Sequence, residues 1–191
     1  MTYRAKKFAG SLAVAALLCG VAAVEAKAAK PGDFTVLDVR SAGTPILTLE
    51  EAESLINLTT ANSAVATSDY TVINFQDGGP DGEFLGGNAD FPNGSGDDFA
   101  ILVSGCINVS NADDVTFGVT SDDGSRLRVN GIDVIIDDEL HAARTTVGMV
   151  PLSKGSHEIE LLYFERMGGA TLELSVVSRG KFKLLKAASC P

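Results

Sequence analysis

Two adjacent aspartates, Asp122 and Asp123, carry the strongest chemical signal in the 191-residue chain. They lie in a turn within TFGVTSDDGSRLRVNG, residues 116–131. Neighbouring carboxylates on a short loop repel each other unless a cation or hydrogen-bond donors offset the charge. A metal-assisted site is the first reading; the chain's acidic balance suits calcium, which takes hard oxygen ligands and is plentiful outside cells, or simply keeps a secreted protein soluble. The structural alternative is that Asp122 closes the turn through its own backbone while Asp123 stays solvated. A second acidic group, Asp137 and Asp138 with His141, has one imidazole and two neighbouring carboxylates, short of a recognised ligand spacing. His157 alternates outward beside a turn and reads as an exposed surface residue. Arg126 and Arg128 read as a solvated strand face, or as a pair of which one reaches an acidic sugar. A glycosidase sets two carboxylates across the scissile bond, about 5–10 Å apart, and sequence neighbours suit chelation better. The chain has no GxSxG, HExxH or zinc-finger spacing, and no His–Cys signature surrounds Cys106 or Cys190. A binding module is expected, not an enzyme.

The elements that position the aspartates are strands. Val115, Phe117 and Val119 alternate with small or polar residues before the turn, as Leu127 and Val129 do after it. Period two is what a strand with one buried face requires. Asn130-Gly131 favours a type I′ hairpin into a strand with Ile132, Val134 and Ile136. Upstream, residues 34–39 read as an opening strand and residues 70–75 as another. Between them Thr48 can cap a short helix, with Glu51 at the reciprocal position and Ala52, Leu55 and Ile56 at helical spacing, ending near Asn57. Residues 77–98 hold seven glycines and two prolines without an apolar period, which predicts a flexible surface loop. Strands are expected at 99–104, 107–109 and 145–152. They continue at Ile159, Leu161 and Tyr163, at Ala170, Leu172, Leu174 and Val176, and at 182–185. Many short alternating strands with regular turns predict an all-β fold, an antiparallel β-sandwich with a short N-terminal helix.

The N-terminus reads as a processing segment. Arg4, Lys6 and Lys7 precede an apolar run over residues 8–24, and Ala26-Lys27-Ala28 supplies a small-x-small cleavage site. Cleavage is placed after Ala28, with Ala26 as the alternative; a lipobox at Cys19 is disfavoured because Leu18 is not small. No later stretch is apolar for long enough to form a transmembrane segment. The expected location is secreted, periplasmic or cell-surface. The expected organisation is a signal peptide over 1–28, a sandwich domain over 29–180 and a C-terminal strand and tail over 181–191. Without the first 28 residues, 11 basic residues face 24 acidic ones, a net charge near −13 that disfavours nucleic acid as a partner. Cys106 and Cys190 remain, and export permits a disulfide between them, worth about 4 kcal/mol in the chain-entropy model. Their spacing leaves the pairing open, and the sequence leaves the oligomeric state open.

FGVTSDDGSRLRVNG, VIIDDELH and VPLSKGSHEIELLYFERMGGATLEL, in this order, resemble the anthrax protective antigen domain family, here called PA-fourteen. The resemblance is good over residues 97–177 and extends back to Phe34, where a strand precedes a helix containing AESLI. It implies a β-sandwich that commonly serves as a carbohydrate-binding or adhesion module. In flocculin-type members an adjacent Asp pair with a cis peptide holds a calcium ion that contacts sugar hydroxyls, and by position that pair matches Asp122 and Asp123. Those members complete the ion with an Asn, here Glu165, and with carbonyls that fall near Met167 and Gly169. Arg166, in the same loop, joins the two aspartates as a candidate ligand-binding residue. Glu for Asn adds a negative charge. Gly168-Gly169 stand where family sugar binders place a large aromatic, which removes an apolar contact for a sugar ring. The expected partner is a carbohydrate or cell-surface glycan, with calcium as cofactor. The alternative is a structural or interaction module of the cell envelope that binds no sugar.

Overall fold

The computed structural model describes residues 31–58, 64–77, 85, 87, 89–94 and 96–191, so the expected signal peptide lies outside the described residues. Its elements are β1 (Phe34–Arg40), α1 (Leu49–Asn57), β2 (Ala64–Tyr70), β3 (Asn74–Gln76), β4 (Phe99–Val109) and β5 (Asp113–Asp122). They continue with β6 (Ser125–Val129), β7 (Ile132–Asp137), β8 (Arg144–Leu152), β9 (Gly155–Glu165), β10 (Thr171–Ser178) and β11 (Lys181–Leu184). Among the described residues every pairing between these strands is antiparallel. One sheet runs β2-β1-β4-β9-β6-β7 and the other β11-β10-β5-β8, with β3 also on β10. The expected all-β sandwich with one short helix is the fold observed.

The alternating residues fill the space between the sheets. Phe34, Ile101, Leu127, Leu161 and Tyr163 meet Phe117, Val119, Leu172 and Leu174 there. A second apolar layer lies outside the six-stranded sheet, where Leu49, Ala52 and Ile56 of α1 cover Val39, Ala100, Leu162 and Phe164. β9 is therefore apolar at four consecutive positions, 161–164, because both of its faces are covered. Thr48 accepts the Glu51 N–H at 3.2 Å as the helix cap, while the Glu51 carboxylate takes the Leu47 N–H at 2.7 Å, one residue outside the reciprocal position. No helix of the described residues is long and apolar enough to cross a membrane.

Several sequence expectations are corrected. The strand expected over 70–75 is two: Tyr70 ends β2 in one sheet, and β3 begins at Asn74 in the other. β2, reading AVATSDY, is a half-exposed edge strand without a buried face, so it carries no alternation to read. The two strands expected over 99–109 are one continuous strand. In β7 a register shift between Leu127 and Arg128 of the paired strand changes the phase, so Ile135 is buried and Ile136 is exposed. The 77–98 loop is not only surface: Phe91 is buried against Phe75, Phe99 and Tyr163, and Ala89 bridges to Phe75. His157 is buried at 7 % exposure, its Nε2 2.8 Å from the Ser153 carbonyl and its Nδ1 2.9 Å from the Asn130 side chain. At the C-terminus β11 pairs with β10, Ala188 bridges to Cys106, and Cys106 is disulfide-bonded to Cys190 with Cα atoms 5.3 Å apart.

Candidate functional site

β5 delivers Asp122 as its last residue, and β6 starts two residues beyond Asp123. Ser121 and Ser125 share a 3.0 Å hydrogen bond across the turn, and the Asp122–Asp123 peptide is cis. Gly124 has no space for a side chain, because a Cβ there would run into the Phe164 ring and the Asp137 carbonyl. This explains the glycine of the Asp-Asp-Gly run. The Phe164 N–H donates to the Gly124 carbonyl at 3.0 Å, which ties the end of β9 to the turn and sets Glu165 beside the aspartates. One oxygen from each of Asp122, Asp123 and Glu165 lies within 4.8 Å of the others.

The acids are held mainly by backbone donors. Asp123 accepts the His141 N–H at 2.8 Å on one oxygen and the Arg166 N–H at 2.9 Å on the other. Asp122 accepts the Ala143 N–H at 3.1 Å, and the Tyr163 hydroxyl donates to the Asp122 carbonyl. Glu165 is 1 % exposed, and its Oε1 has no hydrogen-bond partner among the described residues. Burial, then Asp123 and Asp122, push the Glu165 carboxyl up to about 9; burial and Asp123 push Asp122 up to about 6. Burial first, then the surrounding carboxylates, raises the Tyr163 phenol well above its usual value. Three converging carboxylates with no basic side chain among their hydrogen-bond donors form a trap for positive charge.

Asp122 and Asp123, with Glu165 buried behind them, open on a cleft of about 480 Å³ that Leu140, His141, Ala142, Arg166, Met167 and Gly169 also line. A larger hollow of about 760 Å³ lies between the 41–48 loop and α1, but the converging carboxylates are elsewhere. Met167 and Gly169 thus border the cleft, with the Met167 side chain 63 % exposed. The Arg166 guanidinium is engaged by Asp98, 3.3 Å from each carboxylate oxygen. Glu165 does not pair with Arg126, Arg128 or Arg166. Arg126 and Arg128 instead bind Glu53 of α1, Asp133 and Glu160 outside the six-stranded sheet, so that strand face is a lattice of ion pairs, not merely a solvated one. Asp137 is occupied by Arg144 and Thr146, and Asp138 accepts the Leu49 N–H at 2.7 Å.

Sequence reading missed the residues around this trio. The 140–143 segment supplies two N–H donors, and the ends of the 77–98 loop supply Asp77, Asp97 and Asp98. The only signal in the sequence was the crowding of acids at the ends of a Gly-rich loop.

A sandwich of this topology with an acid-lined turn at one end defines a class of β-modules. Residues 57–183 match the PA14 domain model, and the chain belongs to the PA14 domain family. The PA14 sugar-binding domain from an RTX adhesin is 22 % identical with a TM-score of 0.64, covering 84 % of this chain and 100 % of that one. The PA14 domain of the MpAFP antifreeze protein is 19 % identical with a TM-score of 0.63, covering 85 % and 92 %. An epithelial adhesin A domain from Candida glabrata in complex with β-lactose is 11 % identical with a TM-score of 0.54, covering 84 % and 95 %. At these identities the likeness is one of fold. No curated protein sequence matches the chain significantly.

Proposed function

We propose that the chain is an exported, non-catalytic carbohydrate-binding or adhesion module that holds calcium through Asp122, Asp123 and Glu165. The observation that carries this reading is the buried Glu165 oxygen without a donor, set beside two further carboxylates. A hard oxygen set of this kind fits calcium, and a bound cation would offset a repulsion that the protein's own side chains leave standing. Backbone carbonyls of Met167 and Gly169 are the proposed remaining protein donors. Bound calcium would supply open coordination positions for vicinal hydroxyls of a sugar. The chain's own part is orientation: the His141, Ala143 and Arg166 N–H groups fix the two aspartates, while Leu140 and Met167 offer aliphatic contact from opposite loops. The sugar-binding adhesin domains among the structural neighbours support the carbohydrate half of the reading.

A second reading is an interaction module of the cell envelope without sugar affinity. It is favoured by one observation: among the described residues no Phe, Tyr or Trp lines the cleft. Thermal melting with calcium and with chelator tests the first half, since a ligand bound only to the folded state must raise the melting temperature. Identical melts would sink the calcium assignment. Glycan binding in calcium buffer tests the second half. Calcium-dependent binding to a glycan supports the first reading, and a calcium-loaded chain silent on every glycan supports the second.

A further inference from the structure

Four aspartates hold the short loop between β9 and β10, and only one of them belongs to the carboxylate trio. The Arg166 N–H donates to Asp123, and the Arg166 guanidinium binds Asp98. The Gly168 N–H donates to Asp97 at 3.3 Å, and the Ala170 N–H donates to Asp77, also at 3.3 Å. The Asp77 N–H in turn donates to the Ala170 carbonyl at 3.1 Å, so this contact is reciprocal. Asp98 is itself fixed: its carboxylate accepts the Ile46 N–H at 3.1 Å and its carbonyl accepts the Ser41 N–H at 2.8 Å.

The loop needs such holding. Gly168-Gly169 is the most permissive dipeptide a chain can place there, Gly168 adopts φ +104°, and no neighbour lies within 4 Å of where a Cβ would be at either glycine. A loop with so much freedom would spend binding free energy on its own ordering before it could present carbonyls to an ion. The geometry points to Asp77 and Asp97 as positioning residues of the cation site: they lash the amides of Ala170 and Gly168 and so preset the backbone of Met167 and Gly169. This inference rests on the calcium reading above. It adds that two acids outside the trio act through the loop and not as ligands.

A purely Coulombic role is the rival, because any carboxylate near a cation raises its affinity. The two are separable by substitution. Asparagine keeps a side-chain oxygen that can accept the amide N–H and loses the charge; alanine loses both. Calcium titration calorimetry is run on the full chain and on Asp77→Asn, Asp77→Ala, Asp97→Asn and Asp97→Ala. Amide hydrogen exchange at Gly168 and Ala170 is followed in the cation-free forms. The alanine variants are expected to weaken calcium roughly tenfold or more, in the range seen when partners that orient a ligand are removed. They should also speed exchange of Gly168 in the Asp97 variant and of Ala170 in the Asp77 variant. The asparagine variants should stay within about threefold of the parent and keep slow exchange. Equal weakening in asparagine and alanine variants would make the effect Coulombic and overturn the positioning role. So would alanine variants that bind calcium as the parent does. A parent chain that binds no calcium overturns the calcium reading itself, which separates the two failures.

Discussion

Two of the chain's four neighbouring-aspartate pairs, Asp122-Asp123 and Asp137-Asp138, look alike as sequence and behave oppositely in the fold. Asp137 is buried, yet burial does not win. Arg144 and Thr146 hydrogen-bond both of its oxygens, His141 lies 3.3 Å away, and together they hold its carboxyl below the usual range. Asp138 is used up by the first N–H of α1. The first pair receives only backbone N–H groups at its carboxylates, with a third buried carboxylate beside it, and Asp122 and Glu165 are pushed upward. Acidity alone therefore does not mark a cation site. What distinguishes one is carboxylate charge that the protein has not matched with its own cations.

The strongest way to break this contrast is to exchange ligand and non-ligand substitutions under calcium. At a free concentration a thousandfold above Kd, calcium is expected to stabilise the parent chain by about 4 kcal/mol. The double variant Asp122→Asn with Asp123→Asn should lose the whole shift in a chelator-controlled melt, and Asp137→Ala should keep it. A calcium shift that disappears with Asp137→Ala as well would mean that the two pairs act as one site.

Asp122-Asp123 was legible in the sequence because alternating strands flank it, so its place on a loop followed from period two. Glu165 was legible only through a family resemblance. It lies 42 residues further on, at the end of a strand whose apolar run reports burial and nothing of its neighbours. Asp77, Asp97 and Asp98 were not legible. Their contacts span 93, 71 and 68 residues and go to backbone amides or to one arginine, which leave no periodic trace. β2 escaped for a related reason: an edge strand without a buried face has no pattern to display. His157 was misread because it has the parity of Ile159, Leu161 and Tyr163 and so lies on the inward face of β9, where the Ser153 carbonyl and the Asn130 side chain satisfy its ring.

A buried carboxylate outside both pairs sharpens the comparison through pH. Asp38 of β1 is fully buried with one unpartnered oxygen; burial raises its carboxyl to about 6, against Arg40 and Asn93, which lower it. The folded-state value lies above the unfolded one, so the unfolded chain ionises first as pH rises. Stability attributable to Asp38 is present below about pH 4, falls through pH 4–6 and stays lost above, by up to about 3 kcal/mol. Denaturant unfolding of the parent and Asp38→Asn at pH 4 and pH 7 checks it: the parent should lose more stability on going to pH 7. Parallel losses in the two proteins would show that Arg40 and Asn93 already satisfy Asp38 as fully as Arg144 satisfies Asp137.

Asp137→Ala should come next in size. It removes a buried carboxylate that accepts from Arg144 and Thr146 and strands the Thr146 hydroxyl, while Arg144 can turn to solvent or to Glu139. The expected cost is about 2 kcal/mol in urea unfolding without calcium. A cost near zero would mean that Asp137 is no better satisfied than the trio, and the contrast between the pairs would fail.

The smallest effect should come from Asp138→Ala, and its size tests the same contrast from the other side. Asp138 lies outside the helix it serves, and its carboxylate takes the Leu49 N–H at 2.7 Å while Thr48 takes the Glu51 N–H. Losing one of these acceptors exposes one orphan donor of the first turn, and that end of the helix remains open enough for water to replace it. The expected loss is about 0.5–1 kcal/mol, the low end for a helix cap. It should add to the Thr48→Ala cost, because the two oxygens satisfy different donors. A loss above about 2 kcal/mol would mean that Asp138 anchors α1 over Leu162 and Phe164 and not just its first amide. The second aspartate pair would then hold a layer of the core in place, where the first holds only a loop and the charge around it.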